Sequence, residues 1–144
     1  MVETSQSITV RILSPQGIVV EQEAYAVKVQ STEGSMTLLP NHAPVFAGLE
    51  IGAIRIQTLA EAQDDVFVAV DGGVLEMENN LVEIVSTYAI EAGQLDEAEL
   101  KLQEQQAEAE MKSAQAVEDR RKFRRAEFEL QRAINMLRVA RHQI

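Results

Sequence analysis

The chain has 144 residues, no cysteine, and a net charge of −10, with 46% hydrophobic and 25% charged residues. That length fits one domain, or one small domain with an appendage. The missing cysteines exclude disulfides, thiolate metal sites and a cysteine nucleophile, and the acidic balance argues against bulk binding of nucleic acid or an anionic membrane.

No run of 18 apolar residues and no basic-then-apolar start is present, so neither a membrane-spanning helix nor a signal peptide is expected. The charge is uneven along the chain. Residues 1–91 carry −10, residues 92–119 carry −6 and residues 120–144 carry +6.

Over residues 1–91 the hydrophobic pattern has period 2. Ile8, Val10 and Ile12 alternate with Thr9 and Arg11; Val27 and Val29 flank Lys28; Ile54 and Ile56 flank Arg55. Residues 66–70 and 81–85 are nearly continuous apolar runs. Such segments read as short strands with one or both faces buried. Turn signals separate them, among them Ser14-Pro15-Gln16-Gly17, Thr32-Glu33-Gly34-Ser35, Pro40-Asn41-His42-Ala43-Pro44, Gln63-Asp64-Asp65, Asp71-Gly72-Gly73 and Glu78-Asn79-Asn80. The spacing predicts about nine to ten strands in an antiparallel sandwich or barrel. Asp71-Gly72-Gly73, between two apolar runs, reads as a hairpin turn.

The pattern changes at Ile90-Glu91-Ala92-Gly93, and Gly93 is the last glycine. Asp96-Glu97-Ala98-Glu99 has the form of a capping box, with Asp96 accepting from the Glu99 amide and Glu99 reaching back. Two helices are predicted, one over about 97–115 and one over about 120–143. Every seventh residue is apolar in one register: Leu95, Leu102, Ala109, Ala116, Phe123, Leu130, Leu137 and Ile144. The companion positions three residues on are Ala98, Gln105, Lys112, Asp119, Ala126, Ala133 and Ala140, polar in the middle. The segment either doubles back there as a hairpin or runs on as one helix. The predicted class is α+β, with a β-sandwich over 1–91 and an antiparallel two-helix hairpin over 92–144.

Catalytic constellations are scarce. His42 sits in a proline-bracketed loop and His142 near the chain end, where fraying is expected. No histidine or cysteine near His42 completes a metal site, and no phosphate loop, nucleophile elbow or zinc spacing is present. His42 reads as a loop residue bonded locally or touching a partner. The dense basic run Arg120, Arg121, Lys122, Arg124 and Arg125 reads either as a solvated helix face or as a grip on an acidic protein surface. In a hairpin the acids of 97–110 would lie near Arg132 and Arg138, leaving that cluster free.

Glu33-Gly34-Ser35-Met36-Thr37-Leu38-Leu39-Pro40-Asn41-His42-Ala43-Pro44 resembles the signature loop of the epsilon subunit of F-type ATP synthases. Residues 52–56 and 71–76 resemble its next landmarks, and Arg125-Ala126-Glu127 with residues 130–135 resembles its last helix in Gram-positive-type bacteria. The resemblance implies a non-catalytic rotor subunit that couples proton flow to ATP synthesis at the cytoplasmic face of the plasma membrane. The sandwich would bind the gamma subunit and the membrane c-ring through a face including Glu33, Gly34, Ser35, Met36, Pro40, Asn41 and His42. The hairpin would swing about Gly93, extend, and inhibit hydrolysis by contacting beta subunits of the alpha/beta head through Arg120, Arg121, Lys122, Arg124, Arg125 and Arg132. The isolated subunit would be a monomer.

Some members of that family bind ATP in the hairpin through a motif resembling [I/L]-D-x-x-R-A. Here Leu95-Asp96-Glu97-Ala98-Glu99-Leu100 places Glu99 at the arginine position. Of the two arginines that contact ATP in the second helix, Arg132 matches the first and Met136 replaces the second. Regulatory ATP binding is therefore expected to be weak or absent, leaving Asp96 and Glu99 as helix-capping residues, and no other cofactor or metal is expected. The same residues also suit a free-standing β-domain with a coiled-coil dimerisation tail.

Overall fold

A computed structural model describes residues 6–59 and 64–143. Ile144 and Gln63, which the sequence places on the apolar stripe and in a turn, lie outside the described residues. Among the described residues seven strands form: β1 (Ile8–Ser14), β2 (Gly17–Ser31), β3 (Gly34–Leu38), β4 (Val45–Thr58), β5 (Val66–Glu78), β6 (Leu81–Val85) and β7 (Ala89–Glu91). A 3-10 turn over Ala92–Gln94 leads into α1 (Glu97–Ala116) and α2 (Arg120–Ala140).

The sheet runs β1-β6-β5-β4-β2-β3, and β1 also pairs with β2, so five strands close on themselves as a barrel. β3 extends from β2 and β7 from β5. The expected count of nine to ten strands is too high because β2, β4 and β5 are long, at 15, 14 and 13 residues, and the break expected at Asp71-Gly72-Gly73 falls inside β5. The arrangement is also not wholly antiparallel, since β1 and β6 pair in parallel, Val10 opposite Val82 and Ile12 opposite Ile84.

Asp71-Gly72-Gly73 does not form a hairpin turn. It lies within β5, which continues through it opposite β4, with Leu49 paired to Gly73 and Ile51 to Asp71. Gly72 and Gly73 have φ of 88° and 139°, a bend that only glycine accepts cheaply. A Cβ on Gly73 would sit 2.3 Å from the Val85 carbonyl oxygen.

The barrel interior is filled by alternate residues of each strand, including Ile8, Val10, Ile12, Val27, Val29, Ile54, Ile56, Val68, Leu75, Met77, Val82 and Ile84. The continuous apolar run in β5 has a direct cause. Val68 and Val70 face the barrel core, while Phe67 and Ala69 face outward into a second core with Ala53, Leu100, Met136, Leu137 and Val139. Both faces of β5 are covered there, one by the barrel and one by α2.

The segment doubles back as a hairpin. Asp96 accepts from the amides of Ala98 and Glu99 and starts α1, as expected, but the return bond from the Glu99 side chain does not form among the described residues. Asp119 accepts from the Lys122 amide and starts α2. The single apolar register packs on α2 but not on α1. On α2 the expected residues Ala126, Ala133 and Leu137 are buried, with Phe123 and Leu130 partly covered. On α1 the buried residues are Leu100, Ala107 and Ala114, whereas Leu102 is 59% exposed and Ala109 and Ala116 face solvent. The tight turn rotates α1 relative to α2, so each helix uses its own seam.

Candidate docking and regulatory surfaces

Three polar or aromatic contacts hold the hairpin on the barrel. Arg132 Nε lies 2.5 Å from Asp71 Oδ2, and the Asp71 side chain is only 7% exposed. The Arg132 guanidinium also lies over the rings of Tyr88 and Phe128, at 5.0 and 5.9 Å. Burial raises the Asp71 pKa above its ordinary value, and the charge and hydrogen bond of Arg132 oppose that shift without cancelling it. Asn135 donates from Nδ2 to the Gly52 carbonyl at 2.9 Å.

The third contact lies at the chain end. His142 stacks on Phe67 of β5, ring centroids 4.2 Å apart and planes 12° from parallel, and Arg55 lies 5.5 Å from the same ring. Next to it Arg141 pairs with Glu97 at 2.9 Å, joining the end of α2 to the start of α1. The expectation of a frayed end for His142 is therefore not met, because a long-range ring contact anchors it.

A cleft of about 390 Å³ lies between the helices and the barrel, lined by Tyr88, Glu99, Gln103, Glu110, Glu129 and Arg132 among others. Its walls carry three glutamates, and its arginine already serves Asp71. Gln94, Gln103 and Gln106 line it as well, so amide donors and carboxylates alternate around it. Among the described residues no group of His, Cys, Asp or Glu could hold a metal ion.

Arg120, Arg121, Lys122, Arg124 and Arg125 are all exposed at the start of α2, and none forms an ion pair among the described residues. The structure thus separates Arg132, bound in the barrel interface, from the other five. Gly93 lies in the 3-10 turn, where a Cβ would meet nothing within 4 Å.

The signature loop is split across β3. Glu33, Gly34 and Ser35 form the turn before it or begin it, Met36 lies within it, and Pro40, Asn41 and His42 follow its other end. Glu33, Gly34 and Ser35 are exposed, and the Ser31 hydroxyl braces their turn by donating to the Gly34 carbonyl at 2.7 Å. Asn41, with φ of 67°, is tied to Asn80 of the β5–β6 turn, its amide donating to Asn80 Oδ1 at 2.6 Å. His42 is exposed and its Nδ1 lies 2.7 Å from the Ala43 carbonyl, a local contact of the kind expected.

One surface escaped the sequence reading. Strand register sets Ile18, Leu13, Val85 and Val74 side by side across β2, β1, β6 and β5. Ile18, Val85 and Val74 are 58%, 56% and 42% exposed, and Phe46 in the adjacent row is 75% exposed. In that adjacent row Arg11 pairs with both Glu21 and Glu83. Ile18 and Leu13 belong to one hairpin and Val85 and Val74 to another, and only the parallel pairing of β1 with β6 brings the two pairs into one row, so no local pattern joins all four.

The fold is thus a five-stranded barrel flanked by a helical hairpin, with an exposed apolar row on the barrel and an exposed basic cluster at the hairpin tip. Residues 7–92 match the family model of the β-sandwich domain of the ATP synthase delta/epsilon chain. The chain is 35% identical to the ATP synthase epsilon chain of Pediococcus pentosaceus, covering 94% of this chain and 96% of that one. It is 37% identical to that of Bacillus mycoides, covering 94% and 97%. It shares its fold, at a TM-score of 0.79 and 17% identity, with a chain in the mitochondrial ATP synthase structure of Euglena gracilis (OSCP, F1 and c-ring), covering 94% of this chain and 82% of that one. The chain belongs to the ATP synthase epsilon-chain family, whose members are non-catalytic subunits of the rotary enzyme.

Proposed function

We propose that this chain is a central-stalk subunit of a bacterial proton-translocating ATP synthase, held at the cytoplasmic face of the plasma membrane by its neighbours. Among the described residues no helix is long and apolar enough to cross a membrane. Relatives of the fold occur in structures of ATP synthase with c-ring or central stalk, which supports gamma and the c-ring as partners. Residues 1–91 form the docking domain and 92–144 the regulatory one. The row Ile18, Leu13, Val85 and Val74 offers an apolar seat for gamma. The turn at Glu33, Gly34 and Ser35, and the loop at Pro40, Asn41 and His42, supply further contacts to gamma and the ring. The isolated subunit is a monomer. Recovery of the rotary subunits on pull-down from membranes tests this part, and their absence would refute it.

The hairpin inhibits ATP hydrolysis by leaving the barrel and presenting its basic cluster to acidic segments of the catalytic head. The observation that carries this reading is the exposed cluster of Arg120, Arg121, Lys122, Arg124 and Arg125 at the tip of a hairpin whose buried positions include four alanines, Ala107, Ala114, Ala126 and Ala133. Alanine in place of leucine forgoes roughly 2 kcal/mol of burial per position, so the closed state lies near its alternatives. A covalent cross-link between α1 and α2 is expected to relieve inhibition in the intact complex. Unchanged inhibition after cross-linking would refute the extended form.

The cleft beside Glu99 does not act as an ATP sensor. Its carboxylates repel a triphosphate, and Arg132 is committed to Asp71. Calorimetry on the isolated chain is expected to show no ATP binding in the micromolar range; a micromolar affinity would overturn this reading.

A further inference from the structure

We propose that Glu118, held in a left-handed conformation between the helices, is the hinge that sets the balance between the closed hairpin and one continuous helix. α1 ends in a Schellman motif: the Asp119 amide donates to the Ala114 carbonyl at 2.9 Å and the Glu118 amide to the Gln115 carbonyl at 3.2 Å. Glycine or asparagine usually holds the left-handed position of that motif, because a Cβ crowds the following carbonyl. Here it is a glutamate with φ of 55°. The strain has no visible compensation from packing, since Val117, Glu118 and Asp119 are all exposed and Val117 is 71% so.

Only three residues, 117–119, separate the two helices. Returning them to helical angles makes one helix over residues 97–140, about 66 Å long at ~1.5 Å per residue. That change removes the strain at Glu118. It also places Glu118 four residues before Lys122, the favourable order for a helical ion pair. Two local effects thus favour the straight form. The capping bond from the Lys122 amide to Asp119, the buried alanines and the contacts to the barrel oppose them. A glutamate at this position keeps the closed state from becoming too stable to open. The opening itself rests on the inhibitory role proposed above.

The test is a substitution ladder at residue 118 in the full-length chain, with spin labels at the exposed positions Gln105 and Gln131 reporting the distance between helices. Glu118→Gly relieves the strain and weakens a straight helix, so the closed-to-straight ratio is expected to rise about tenfold, with Glu118→Asn intermediate. Glu118→Ala keeps the strain, and its small gain in helix propensity is offset by loss of the pair with Lys122, so the ratio is expected to stay within about twofold of the unsubstituted chain. Thermal unfolding of the hairpin gives a second reading, with Glu118→Gly above the unsubstituted chain. If Ala raises the ratio as far as Gly does, or Gly lowers the melting temperature, the hinge is overturned. If the ladder holds while hydrolysis by the intact complex stays unchanged, the hinge stands and the inhibitory reading fails.

Discussion

Arg132 on α2 meets Asp71 in the middle of β5, and this pair is the charged joint between hairpin and barrel. Asp71 owes its position to the glycine bend that follows it, and Arg132 to the face of α2 that also buries Met136 and Val139. Arg132→Ala would leave a nearly buried carboxylate without its cation, at a cost of about 2–3 kcal/mol. The expected result is faster amide exchange throughout α2 with little change in the barrel strands. Equal protection in the two proteins would mean that apolar contacts alone seat the helix.

The same pair makes stability depend on pH. Burial penalises the charged form of Asp71 and lifts its pKa above the ordinary 3.8, with Arg132 opposing. A carboxyl with a raised folded-state pKa binds its proton more tightly in the folded chain. Its contribution is therefore most favourable at low pH and declines as pH rises from the ordinary value through the raised one. Relative to Asp71→Asn, the native chain is expected to lose stability across that window. Parallel urea midpoints over it would exclude the effect.

Phe67 and His142 close the chain end by ring stacking. A double-mutant cycle between Phe67→Leu and His142→Ala is expected to give a coupling of about 1 kcal/mol. His142→Ala alone is expected to loosen the end of α2, where Arg141 meets Glu97. Additive effects would show that the stack holds nothing.

The separate seams of the two helices can be tested with one residue type. Ala114→Leu and Ala126→Leu insert bulk at fully buried positions and are each expected to destabilise the hairpin by about 1–3 kcal/mol. Ala109→Leu lies on the expected stripe but faces solvent, and is expected to change stability by no more than about 0.5 kcal/mol. Thermal melts of the three variants decide between one register and two.

Gly73 is the barrel's least replaceable glycine. Gly73→Ala meets the Val85 carbonyl oxygen at 2.3 Å with φ of 139°, and is expected to cost about 3 kcal/mol or more. Loss of stability shared by all strands would be read in the urea midpoint. A hairpin-turn glycine in open space would be far more tolerant, so the same variant separates the two placements.

The division into strands and helices, the cap at Asp96, and the family were legible in the sequence because they rest on local periodicity, capping chemistry and a contiguous signature loop. The number of strands was not. A glycine pair inside a bent strand and one in a hairpin have the same local pattern, and only pairing to β4 distinguishes them. The exposed row of Ile18, Leu13, Val85 and Val74 was equally invisible, since each residue alternates correctly within its own strand and only barrel closure sets them in line. A single heptad over residues 94–144 was a true statement about sequence and a poor one about packing. The turn at Glu118 rotates the first helix, and burial is decided by what lies opposite a side chain, which one strand or helix alone does not contain.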